Sequence, residues 1–72
     1  MKKYIVIELQ TSSDGTVGNI VTAHDTREQA ESKWHTVLAA AAISQLPAHA
    51  CVLLDSEGMP IDYRCYYHES ED

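Results

Sequence analysis

Basic residues are scarce in this sequence. Five Lys and Arg stand against eleven Asp and Glu, which gives a net charge of −6. Phosphate backbones and anionic lipid surfaces attract clusters of positive charge and repel a chain with this balance. We therefore expect neither nonspecific nucleic-acid binding nor binding to a membrane.

Long apolar runs are also missing. The first apolar segment, Tyr4 to Ile7, is ended by Glu8, and the richest segment, VLAAAAI, is followed by Ser44 and Gln45. A signal peptide needs an apolar core of about 7–15 residues, and a membrane-spanning helix needs about 20. The first segment is too short for a signal peptide and the second is too short to span a bilayer, so we expect a soluble protein of the cytoplasm.

Cysteine is limited to Cys51 and Cys65, too few for a secreted fold held together by disulfides. We expect two free thiols. Four histidines accompany them, but no spacing typical of a metal site groups the six residues. These histidines are His24, His35, His49 and His68. Because no catalytic motif is present either, we expect no enzyme activity, no cofactor and no bound metal.

The length of 72 residues allows one small core. We expect a single domain over residues 1–72, with a disordered acidic tail at residues 68–72. A core of this size gives an isolated chain only marginal stability, which makes self-association an expected property.

Two strands are predicted at the start of the chain. Tyr4 to Gln10 is rich in β-branched residues, and Val17 to His24 follows a turn at Asp14-Gly15. A two-residue turn there requires a positive φ at both residues. It predicts two facing pairs, Leu9 with Ile20 and Ile7 with Thr22.

A helix is predicted next, because Asp25 and Thr26 are each followed three residues later by Glu28 or Gln29. Pro47 disfavours helical backbone in the preceding residue, so the helix should end at Leu46. The residues of its inner stripe are Ala30, Trp34, Val37, Leu38, Ala41 and Gln45.

A second hairpin is predicted from Ala48 to Asp55 and from Ile61 to Tyr67, with Glu57-Gly58 as its turn. The facing pairs are Leu54 with Ile61, Val52 with Tyr63, and Ala50 with Cys65. This register places Cys51 and Cys65 on opposite faces. The result is an α+β fold of order β-β-α-β-β, a four-stranded antiparallel sheet with one helix packed on one face. The two most apolar strands should be central, in the order 2-1-3-4.

The sheet is predicted to be apolar on both faces. We expect the helix to cover the set Ile5, Ile7, Leu9, Val52, Leu54 and Tyr63. The opposite face then carries an apolar strip that suits an interface: Tyr4, Val6, Cys51, Leu53 and Tyr66. A second surface lies on the helix away from the inner stripe, at Ala39, Ala40 and Ile43, where the small alanines permit the close approach of a second helix. A homodimer formed through one of these surfaces is expected, and scattered surface residues are the alternative.

A ligand site is the second hypothesis. Arg27 and Arg64 could converge with Tyr63 and Tyr66 on a nucleotide. For Arg27, an ordinary position near a capped helix start is the competing interpretation.

The patterns YIVIELQT, DGTVGNIVTAHD, QAESKWHTVLAAAAIS and LPAHACVLL resemble short uncharacterised proteins encoded by phages and mobile elements of Gram-positive gut bacteria. The likeness spans residues 4–58. It implies a bacterial cytoplasm and a mobile-element accessory role, and it assigns no functional residue.

In that setting two functions are open. One is protein binding, such as inhibition of a host defence protein. The other is an oligomeric sponge that sequesters a nucleotide-derived immune signal without cleaving it.

Overall fold

The computed structural model describes residues 2–68, which contain four strands and one helix. In chain order these are β1 (Tyr4–Thr11), β2 (Val17–His24), α1 (Arg27–Ala42), β3 (Ala48–Asp55) and β4 (Pro60–Tyr67). All neighbouring strands are antiparallel, and the sheet has the order β2-β1-β3-β4. The α+β fold with one helix contacting the sheet, and the strand order, are as predicted.

Both hairpins close with a three-residue turn. The Gly15 N–H donates to the Ser12 carbonyl at 3.0 Å, and the Gly58 N–H donates to the Asp55 carbonyl at 3.0 Å. Gly15 and Gly58 have φ values of +91° and +88°, a conformation that suits glycine because it has no Cβ. This is a type I turn followed by a left-handed residue. The predicted two-residue turns, and a positive φ at Asp14, are therefore wrong.

The turn type changes the register of the first hairpin by one residue. Leu9 lies opposite Asn19, and Ile7 lies opposite Val21. The predicted pairs of Leu9 with Ile20 and of Ile7 with Thr22 are wrong.

In the second hairpin, a register shift between Leu53 and Leu54 compensates for the longer turn. The predicted pairs Val52 with Tyr63 and Ala50 with Cys65 are confirmed, whereas Leu54 lies opposite Pro60 rather than Ile61.

The helix begins as predicted and ends early. The Gln29 N–H donates to Thr26 Oγ1 at 3.2 Å, so Thr26 is the N-cap. The last helical residue is Ala42, four residues before the predicted end at Leu46. The Ile43 N–H turns back to the Ala40 carbonyl at 3.3 Å, and the chain leaves the helix there to enter β3.

One side of the sheet forms the core with the helix. From the helix, Ala30, Trp34, Val37 and Ala41 are buried, Leu38 is half-buried, and Gln45 lies exposed beyond the helix end. The residues of the core cluster are Val6, Ala30, Trp34, Val37, Cys51 and Leu53, with Tyr4, Leu38 and Ile61 packed against them. The helix therefore covers the side that carries Val6, Cys51 and Leu53.

This packing reverses the predicted assignment of faces. The residues expected under the helix point to the other side of the sheet. They are Ile5, Ile7, Leu9, Val52, Leu54 and Tyr63. Both sides are apolar, as predicted, but the uncovered side is the other one.

Of the tail expected to be disordered, residues 69–72 lie outside the described residues. His68 is held in place, because its N–H donates to the Pro47 carbonyl and its Nε2 lies 2.9 Å from the Ala41 carbonyl. Within residues 2–68, the single helix is too short and too polar to cross a bilayer.

Candidate binding surface

The side of the sheet that the helix leaves uncovered is here called the open face. Side chains alternate between the two sides of a strand, so the register defines its members. They are Ile5, Ile7, Leu9 and Thr11 of β1; Val17, Asn19, Val21 and Ala23 of β2; Ala48, Ala50, Val52 and Leu54 of β3; and Tyr63, Cys65 and Tyr67 of β4.

The open face carries no charged residue, and only Thr11 and Asn19 are polar. Its largest exposed side chains lie on the two edge strands. Val21 is 57% exposed on β2, and Tyr63 and Tyr67 are 61% and 75% exposed on β4. In the two central strands, neighbouring side chains partly cover one another. A sheet with one face in water normally alternates between apolar and polar residues, so this face departs from the usual pattern.

Most of the predicted interface strip lies elsewhere. Val6, Cys51 and Leu53 are at most 1% exposed beneath the helix and are not available to a partner. Tyr4 packs against the same core, and Tyr66 is half-buried on the helix side. The prediction failed because the side chains on both sides of the sheet are apolar. Hydrophobicity alone therefore does not indicate which side the helix covers.

The second predicted surface is exposed. Ala39 and Ala40 lie on the outer side of the helix, and Ile43 is 84% exposed just beyond its end. These residues remain a predicted contact, but they offer far less apolar area than the open face.

The four predicted ligand residues do not form one site within the chain. Arg64 and Tyr66 lie together: the guanidinium donates to the Tyr66 hydroxyl at 3.3 Å and lies 5.8 Å from the ring centroid. Tyr63 belongs to the open face, on the opposite side of β4. Arg27 pairs with Glu31 on the helix at 3.1 Å. Tyr63 and Arg27 thus lie apart from the Arg64–Tyr66 pair.

A polar cluster that was not predicted from the sequence lies at the end of the core. His49 Nε2 is 2.6 Å from Glu8 Oε2, and His49 Nδ1 is 2.9 Å from Ser44 Oγ. Gln10 donates to the same Glu8 oxygen at 2.8 Å. Burial acts to raise the pKa of Glu8. The hydrogen bonds from Gln10 and His49 act in the opposite direction and together outweigh burial, so the pKa of Glu8 lies below its ordinary value. One signal was available, since Glu8 and His49 each stand between two apolar residues of a central strand.

The order Ser44, His49, Glu8 is the order of groups in a hydrolase triad, but the surroundings do not favour catalysis. The Ser44 N–H already donates to the Ala41 carbonyl at 3.3 Å, so it is not free to stabilise an oxyanion. Ser44 also follows the carboxyl end of the helix, whose partial negative charge opposes an anion. A shallow cavity of about 660 Å³ adjoins Ser44 and is lined by Ser12, Leu46 and His68 among others. We interpret the cluster as a tie between β1, β3 and the segment after the helix.

The two thiols differ in environment. They are free and lie on opposite faces, as predicted. Cys51 is completely buried, and this burial raises its pKa to about 11. Cys65 is half-buried on the open face between the tyrosines of β4. Only the second thiol is placed to react with a reagent while the chain is folded.

Among residues 2–68, no group of three or more His, Cys, Asp or Glu side chains could hold a metal ion. Comparisons with protein-family models, curated proteins and solved structures found no match to the chain.

Proposed function

We propose that this protein is a small non-enzymatic protein-binding accessory and that it binds through the open face. The observation that carries the proposal is a four-stranded sheet surface with no charge, to which 15 residues contribute. Exposed apolar patches of this kind mark interaction sites in soluble proteins. The partner is a protein surface that is itself flat and apolar.

The chemistry of the face favours protein over other ligands. Nucleic acids and nucleotides require cations, and the face has none. Tyrosines at the centre or edge of an apolar patch are typical of protein interfaces, because they bury a large area at a small cost in conformational entropy. Tyr63 and Tyr67 provide such groups.

In the phage or mobile-element setting that the resemblance implies, the role we propose is inhibition of a host defence protein. The sponge alternative receives less support, because Arg27 pairs with Glu31 and Tyr63 lies on the opposite face from Arg64. A ligand at 100 times its dissociation constant would stabilise the protein by about 2.7 kcal/mol. We expect no such stabilisation in thermal-shift measurements with cyclic nucleotides.

A photo-crosslinking amino acid tests the proposed surface in the producing cell. Placed at Tyr63 it should form an adduct with a protein of the cell other than a second copy of this chain, whereas at Ser32, on the exposed side of the helix, it should not. The Tyr63 adduct should disappear when Val21 on the same face is changed to Asp and persist when Ser32 is changed to Asp. Equal adducts at the two positions, or none at Tyr63, would contradict the proposal.

A plating assay tests the biological role. Expression of the protein should raise the plating efficiency of a phage on cells that carry a susceptible defence system. Val21→Asp should remove this effect and Ser32→Asp should keep it. If Val21→Asp folds and still protects the phage, the open face is not the inhibitory surface.

A further inference from the structure

We infer that the open face binds the open face of a second copy of this chain, giving a two-fold dimer in which the two sheets stack. This inference rests on the proposed function and names the first protein that occupies the surface. Three features of the face carry it: its area, its absence of charge and its relief.

The area is sufficient for a specific contact. Four strands of eight residues cover about 19 Å by about 26 Å, or about 500 Å² per face, at ordinary strand spacing and rise. Two stacked faces therefore bury about 1,000 Å² before side-chain relief is counted, which is near the lower limit for a specific interface. An interface of this size suits reversible association.

The distribution of charge permits two copies to meet. Each chain carries a net charge of −6, and most pairs of surfaces would bring carboxylates together. The open face is an exception, because among residues 2–68 contact between two such faces apposes only neutral side chains. Asp62, for example, lies on β4 between residues of the open face, but its register partner is Leu53, so its side chain points to the helix side of the sheet.

The open face places large and small side chains side by side. Tyr67 projects from the edge strand at 75% exposure, and it lies opposite Ala48 in the register. The small side chains of Ala48 and Ala50 lie on β3 beside this projection. A two-fold contact requires that one surface supply both halves of every interaction. A face that carries a large aromatic group beside small alanines holds both of the shapes that such a contact uses.

Light scattering over micromolar to sub-millimolar concentrations tests the mass of the purified protein. We expect a reversible species of twice the 8.0 kDa chain mass. Val21→Asp should raise the dissociation constant by about 100-fold or more, because an unpaired charge becomes buried at the contact. Tyr67→Ala should raise it by about 10-fold through loss of the aromatic contact. Ser32→Asp, which adds the same charge on the helix, should dimerise like the wild type.

The reactivity of Cys65 identifies the face that is covered. Cys51 should stay unlabelled by a thiol reagent at neutral pH, so the signal of the folded protein comes from Cys65 alone. A Cys65→Ser variant should confirm this assignment. The labelling rate should fall as the dimer fraction rises, and it should remain high in Val21→Asp at every concentration. Circular dichroism establishes that each variant is folded.

Two results would overturn the inference, and they differ in what they mean for the proposed function. A single-chain species at all concentrations with a reactive Cys65 would show an open face without a second copy, leaving it free for another protein. A dimer that persists in Val21→Asp and leaves Cys65 reactive would place the contact on another surface. That second result would also remove the support for the open face as the binding surface.

Discussion

Leu53 and Leu54 are adjacent in the chain but point to opposite sides of the sheet, so truncating each one tests which face the helix covers. Leu53 is 1% exposed in the core, and Leu54 lies half-buried on the open face. Buried leucine truncation typically costs about 2–5 kcal/mol. A domain of this length has a total stability of about 4–11 kcal/mol. We expect Leu53→Ala to cost about 3 kcal/mol, a large fraction of the total.

For Leu54→Ala we expect a loss of about 1 kcal/mol or less in the single chain, because water already contacts this side chain. For a domain of this size, 1 kcal/mol corresponds to roughly 4–8 °C in Tm. Leu53→Ala should therefore lower the Tm by roughly 12–24 °C and Leu54→Ala by much less.

Urea unfolding followed by circular dichroism provides the assay, at one concentration below and one above self-association. The Leu53→Ala effect should be similar at both, whereas the Leu54→Ala effect should grow in the concentrated sample. The neighbouring pair Val6→Ala and Ile7→Ala repeats the comparison on β1. Equal losses of unfolding free energy for Leu53→Ala and Leu54→Ala in the dilute sample would contradict the assignment of Leu53 to the side that the helix covers.

Two further predictions concern the polar cluster and the turns. Because the pKa of Glu8 is depressed in the fold, its contribution to stability is present above its ordinary pKa of 4.5 and is lost as the pH falls through the folded value. Glu8→Gln should cost about 1–3 kcal/mol at pH 7 and flatten the acid limb of a stability-against-pH curve; an unchanged curve would contradict this. Gly15→Ala and Gly58→Ala should each cost about 1 kcal/mol in thermal unfolding, because both glycines have positive φ. Gly18→Ala, where a Cβ meets only ordinary contact, should cost less than either.

Several elements of the fold followed from local sequence. The β-branched runs predicted the strands, and Thr26 with Gln29 predicted the helix start because a hydroxyl can accept from the third N–H that follows. The central positions of β1 and β3 followed from their apolar content. These predictions held because each depends on residues that are close together in the chain.

The helix end depended on distant contacts. Pro47 sets only the latest possible end, whereas the observed end at Ala42 leaves Ser44 within 2.9 Å of His49. Glu8 and His49 likewise lie far apart in sequence and meet only because β1 pairs with β3. No local pattern encodes such a cluster.

The reversed faces have their origin in the first turn. The Ser12 N–H donates to the Thr16 carbonyl at 2.8 Å, and hydrogen-bonded pairs alternate along an antiparallel ladder. The even-numbered residues of β1 are therefore the ones bonded to β2. A two-residue turn at Asp14-Gly15 would have made them the odd-numbered residues. In a strand of L-residues, the direction in which the N–H and C=O of a residue point determines on which side of the sheet its side chain lies.

A helix that links parallel strands packs on one side of the sheet, because such crossovers are right-handed in most proteins. Here β2 and β3 are parallel, since both are antiparallel to β1 between them. Whether the even-numbered or the odd-numbered residues of β1 contact the helix then depends on which of them form hydrogen bonds with β2. One additional residue in a turn was therefore enough to exchange the covered and uncovered faces.

The central pairing of β1 with β3 also determines the order in which the chain can fold. Each hairpin closes over a few residues and can form in about 1–10 μs, but Tyr4 pairs with Asp55 across most of the sequence. At a synthesis rate of about 5–20 residues per second, β3 is completed roughly 2–9 s after β1. During that interval the first hairpin exposes an unpaired strand edge and apolar residues on both sides. Assembly of the sheet must therefore wait for β3, and until then the first hairpin keeps exposed the edge and the apolar surface that favour aggregation.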